Sequence, residues 1–151
     1  TRINLLIIDK YQILCNIKLI MKNYVLKLIK YLYYFSLIAL LILYLFPGSL
    51  IGYLFYGDFG TQPDLIPNPI GTSINHALAL FYLSILGLVS YMRDKNFNQN
   101  VIFLISLSII LELSHYFIPN RSFQFLDLLG NLIGTLLAMC IILIYRKYKR
   151  E

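Results

Sequence analysis

Residues 122–145 read SFQFLDLLGNLIGTLLAMCIILIY, an apolar run whose one formal charge is Asp127. A helix needs about 20 predominantly apolar residues to cross the hydrocarbon core of a bilayer, and this run supplies them. Working back along the chain, 96–111 carries no charge before Glu112 and closes at Pro119. The stretches 65–92 and 31–57 carry none at all, and the apolar part of the latter stops at Pro47-Gly48, a helix-ending pair. The spacing predicts helices near 28–46, 72–92, 99–118 and 123–145. That is an all-α, integral membrane four-helix bundle.

Composition agrees with this reading. Of 151 residues, 59% are hydrophobic and 13% charged, whereas a soluble domain is about one-quarter charged. There is too little polar surface to cover a water-soluble core, which excludes a soluble enzyme, a disulfide-rich secreted domain and a disordered tail. Cys15 and Cys140 are too few and too far apart for a metal motif or a disulfide framework, and neither a metal nor a cofactor is expected.

The net charge of +6 raises the question of a nucleic-acid partner, and the placement of the charges answers it. Arg2, Lys10, Lys18, Lys22, Lys27 and Lys30 precede the first span. Arg93 and Lys95 lie between the second and third, and Arg146, Lys147, Lys149 and Arg150 follow the fourth. The 47–71 loop carries only Asp58 and Asp64. Because cytoplasmic loops keep Lys and Arg, both termini are expected in the cytoplasm, with 47–71 and 119–122 outside. The 13 tyrosines read as anchors at the lipid interface rather than as a stacking surface for bases. No nucleic-acid partner is expected; the bilayer is the expected one. Arg121 is the single basic residue left on the outer side.

Residues 1–20 read as translated upstream sequence, because Met21-Lys22-Asn23 resembles a natural start before a basic-flanked span. The alternative is an interfacial segment on the inner leaflet. The membrane domain is then 21–151.

Ionisable groups inside a span are costly and usually face a bundle interior. Helix direction places His76 about one turn below the outer surface and Glu112 about 10 Å in. His115 stands one turn above Glu112 and Ser108 one turn below it, all on one face. Asp127 lies about one turn deep, with Asn131 on the same face one turn on. Gly130 and Gly134 form a G-x-x-x-G that lets helix backbones approach closely, and it is expected to bring Asp127 and Asn131 against the Glu112 face. Arg121, in the Pro119-Asn120-Arg121 turn, is expected to fork onto Glu112 or Asp127. The candidate polar cluster is therefore His76, Glu112, His115, Arg121, Asp127 and Asn131. Each also has a plain structural reading, as a cap, a solvated end group or a lock between helices.

The run Glu112-Leu-Ser-His115, Pro119-Asn-Arg121, Asp127 and Asn131-Leu-Ile-Gly134 resembles the signature of VanZ-like membrane proteins. That signature reads E-x-x-Q, P-x-R and D-x-x-x-N-x-x-G across the last two of four helices. His115 stands where the family usually has Gln. His76 matches the end of the family's D-K-x-x-H, with Thr72-Ser73 replacing Asp-Lys. The resemblance covers about Met21 to Lys149. It implies a bacterial inner-membrane protein of the cell envelope, related to proteins of resistance to the glycopeptide teicoplanin.

Three functions follow as expectations. The cluster binds or modifies an amphiphilic ligand at the outer leaflet, such as a lipid-linked wall intermediate or a lipoglycopeptide. Alternatively, its carboxylates and histidines make an intramembrane acid–base enzyme acting on a lipid-linked substrate; no nucleophile motif accompanies them. The third is a structural helper subunit in which the polar network only locks the helices together.

Overall fold

The computed structural model describes residues 2–63, 71 and 73–149, with side chains from residue 20 onward among these. The described residues form five helices and no strand: α1 Arg2–Leu45, α2 Leu50–Tyr56, α3 Ser73–Ser90, α4 Phe97–Ser114 and α5 Phe125–Tyr148. Four contain stretches long and apolar enough to cross a membrane: Ile20–Leu45, Ser73–Ser90, Phe97–Ser114 and Phe125–Tyr148. At the helical rise, the 18 residues of α3 or α4 span about 27 Å, close to the thickness of a hydrocarbon core. Thr72, where the second span was expected to open, and Asp64 lie outside the described residues.

The helix ends follow local chemistry. α1 runs unbroken from Arg2 and stops two residues before Pro47. α4 ends at Ser114, four residues short of the expected boundary. Short-range bonds replace its last turn: the Tyr116 and Phe117 N–H groups donate to the Leu113 and Ser114 carbonyls at 3.2 and 2.9 Å. The reason is Pro119, which disfavours helical backbone at the residue before it. Asn120 then turns the chain with φ at 58°, a left-handed conformation that Asn tolerates.

α2 sits where a plain loop was expected. It forms because Ser49 caps it, accepting the Gly52 N–H at 2.9 Å, and Gly57 closes it in left-handed geometry. The four long helices run up and down around a core that includes Leu80, Leu83, Leu104, Leu111 and Ala138. Helix packing is closest between α3 and α5. A Cβ on Gly130 would lie 2.4 Å from the Ser73 carbonyl oxygen, and one on Gly134 2.1 Å from that of Ala77. The G-x-x-x-G is therefore a close-packing motif, as expected, but its partner is α3 rather than the Glu112 face of α4.

One end of the bundle holds the 91–96 turn, with Lys30 over the Tyr91 ring at 4.5 Å and Arg146 over Phe97 at 3.8 Å. The other end brings together the C-termini of α1 and α4, the N-termini of α3 and α5, and the α2 segment. All six polar residues singled out from the sequence are at this end.

Candidate functional site

The buried ends of four helices supply the cluster. Glu112 and Asn131 are fully buried, while His115, Asp127 and His76 are 3%, 3% and 5% exposed. Helix α4 presents Glu112 and His115 one turn apart, and His115 Nδ1 lies 3.2 Å from Glu112 Oε1. The Gln124 N–H, at the start of α5, donates to the same oxygen at 3.0 Å. Helix α3 presents His76, whose Nδ1 lies 3.6 Å from Glu112 Oε2 and whose Nε2 lies 3.5 Å from Asp127 Oδ2. Ser73, one turn before His76, donates to Asp127 Oδ1 at 2.6 Å.

Tyr44 completes the arrangement from α1. Its hydroxyl donates to Asn131 Oδ1 at 2.8 Å and sits 3.0 Å from His76 Nδ1. A phenol has one proton to give, so the Tyr44 oxygen must accept from His76 Nδ1–H. That fixes Nδ1 as the protonated nitrogen and turns Nε2 toward Asp127. The Tyr44 carbonyl lies 3.3 Å from His115 Nε2, and the His115 ring stacks on the Tyr44 ring with centroids 5.9 Å apart.

Arg121 differs from expectation. Among the described residues it pairs with neither Glu112 nor Asp127. Its Nε and Nη2 donate to the Phe46 and Leu43 carbonyls at 3.5 and 3.0 Å, and Nη1 donates to Gln62 at 3.3 Å. The last carbonyls of a helix have no partner within it and carry partial negative charge, so the C-terminus of α1 competes successfully for the guanidinium. Ser108 likewise turns to its own helix, donating to the Ile105 carbonyl at 2.7 Å.

Two cavities meet at this site. One, of about 310 Å³, runs beside α1 and α3 with an apolar wall that includes Ala39, Leu40, Leu43 and Ala79. Gln62, His76, His115 and Arg121 also line it. The second, of about 230 Å³, is polar; Gln124 and Asp127 line it, and Ser49, Gln62, His76, His115 and Arg121 line both cavities.

Sequence reasoning missed Tyr44, Ser73, Gln62 and Gln124. Tyrosines near span ends are ordinarily lipid-interface anchors, and nothing in the spacing set Tyr44 apart. The class these features define is a helical, multi-pass membrane protein with a polar cluster buried at one end of its bundle. No family model, no curated protein and no solved structure matches the chain.

Proposed function

We propose that this chain is a VanZ-like protein of the bacterial cytoplasmic membrane, with both termini cytoplasmic, whose polar end faces outward and binds an amphiphilic envelope ligand. The observation that carries this reading is a pair of neighbouring cavities with shared lining residues. An apolar slot of about 310 Å³ beside α1 and α3 meets a polar chamber of about 230 Å³, and His76, Gln62 and Arg121 line both. A lipid tail fits the first environment and a sugar, amide or anionic head group the second. Arg121 contributes a guanidinium to the shared wall. Among the described residues, the Leu43 and Phe46 carbonyls and Gln62 engage three of its five donors.

The test is tolerance of teicoplanin in cells expressing the wild-type chain, Arg121→Ala or Asp127→Asn at equal membrane levels. Wild type raises tolerance and both variants lose that gain. Equal tolerance from all three refutes the role given to the cluster.

One observation favours a second reading, an intramembrane acid–base enzyme: the His76 imidazole stands between two buried carboxylates, Glu112 and Asp127. Turnover of a lipid-linked substrate by purified protein, abolished in Glu112→Gln, separates catalysis from binding.

A further inference from the structure

We propose that His76, Glu112 and Asp127 form a binding site for one divalent transition-metal cation, of the class that takes mixed nitrogen and oxygen donors, such as Zn²⁺ or Mn²⁺. The three residues come from α3, α4 and α5, and one potential ligand atom from each lies within 4.8 Å of the others. Around zinc, His nitrogen and carboxylate oxygen bind at about 2.0–2.2 Å, so the three side chains would draw inward around a bound ion.

The hydrogen bonds around the triad are arranged as a metal site requires. Each carboxylate has one oxygen held from outside: Glu112 Oε1 by the Gln124 N–H and His115, Asp127 Oδ1 by the Ser73 hydroxyl. The other oxygens face opposite edges of the His76 ring: Asp127 Oδ2 lies 3.5 Å from Nε2 and Glu112 Oε2 3.6 Å from Nδ1, so an ion on Nε2 requires the Glu112 carboxylate to turn toward it. Outer partners of this kind orient metal ligands and set their basicity. His76 is held in the same way, since Nδ1–H donates to Tyr44 and the Nε2 lone pair points toward Asp127 Oδ2 at 3.5 Å.

Two features ask for a cation here. Glu112 Oε2 is buried with no hydrogen-bond partner, although a buried carboxylate oxygen is normally satisfied. His76 Nε2 and Asp127 Oδ2 face one another at 3.5 Å, and with the proton on Nδ1 the two offer lone pairs that a shared cation would join. Among the described residues no Lys or Arg lies within ion-pair distance of either carboxyl group, so histidines are the only side chains beside them that could carry a positive charge. His76 and Asp127 also line the polar cavity of about 230 Å³, which supplies an access route and room for a further ligand. The site stands on these contacts and does not depend on the amphiphile reading.

The test uses full-length, tag-free protein in detergent, carrying Cys15→Ser and Cys140→Ser to exclude thiolate binding. Dialysed against Zn²⁺, it is expected to retain about one metal per chain, as a three-ligand N/O site with one open position does. Co²⁺ in place of Zn²⁺ is expected to give visible d–d absorption. Asp127→Asn and Glu112→Gln each weaken binding at least about 10-fold, since even loss of an outer partner has that effect. Helical circular dichroism and a monodisperse elution profile show which variants fold. Should a variant misfold, a Zn²⁺-dependent rise in melting temperature of the parent protein gives the answer without it. Stoichiometry near zero, or binding unchanged in folded variants, overturns the proposal and leaves His76 as an imidazolium between two carboxylates. The metal content is read without any antibiotic phenotype, so failure here leaves the amphiphile reading standing, and the reverse.

Discussion

Replacing Gly134 with Ala tests the packing that builds the site. On an exposed helix face this change is favourable by about 1 kcal/mol, because Gly loses more backbone entropy on folding than Ala. Here the new Cβ would sit 2.1 Å from the Ala77 carbonyl oxygen and 3.0 Å from the Phe81 nitrogen, where ordinary contact begins at 3.4 Å. Both obstacles are backbone atoms of α3, so no rotamer change relieves them and the two helices must part by about an ångström. Overpacking a core costs about 1–3 kcal/mol, and a backbone obstacle belongs at the upper end. Setting the propensity gain against this leaves a net loss of about 2 kcal/mol. The same separation lengthens the Ser73–Asp127 bond, 2.6 Å in the native packing. Equilibrium unfolding in mixed micelles reads the stability directly. Gly87→Ala is a second case: its Cβ meets the Tyr33 ring at 2.8 Å, and because Tyr33 is buried and bonded to Asn100 this change is destabilising as well. The sign is what matters. A Gly134→Ala protein as stable as wild type, or more so, would mean that α3 and α5 do not touch there, and the geometry assigned to Asp127 would fall with that contact.

Other outcomes follow from single contacts. Tyr44→Phe removes the hydroxyl between Asn131 and His76 and leaves buried polar atoms unpaired, so it costs about 1–3 kcal/mol in the same unfolding measurement; no change would remove Tyr44 from the network. Outside the membrane, the Thr61 hydroxyl and the Gly60 N–H hold the Asp58 carboxyl below its ordinary pKa. A group lowered on folding stabilises the turn fully above its unfolded pKa and loses that contribution as pH falls through the folded value. Carboxyl NMR titration should therefore place Asp58 below a free aspartate, and Thr61→Val should move it back up.

Much of this fold is legible from charge alone. The uncharged runs locate four spans because a bilayer tolerates few ionisable side chains, and the alternating direction of the chain through them brings His76, Glu112, Asp127 and Asn131 to one end. What stayed hidden has physical causes. The seven residues of α2 are too short to show a periodicity, and their stability comes from caps at Ser49 and Gly57. Arg121 reads as a partner of carboxylates because side-chain charges are visible in a sequence, whereas the carbonyls exposed at the end of α1 are not. The G-x-x-x-G declares that a close neighbour exists without saying which helix it is. Likewise no spacing rule reaches the His76–Glu112–Asp127 triad, since its members come from three helices and meet only when these pack.

The bonds that tie α1 into the polar end also bear on how the protein is made. Arg121 reaches the Leu43 and Phe46 carbonyls across 78 and 75 positions of chain, and Tyr44 reaches Asn131 across 87. During synthesis α1 therefore emerges long before the hairpin that caps its end, and its terminal carbonyls must be satisfied by water or head groups in the interval. Completion waits for the last helix to insert. A chain stopped before Asn131 would leave a set of spans whose polar end lacks the partner of Tyr44.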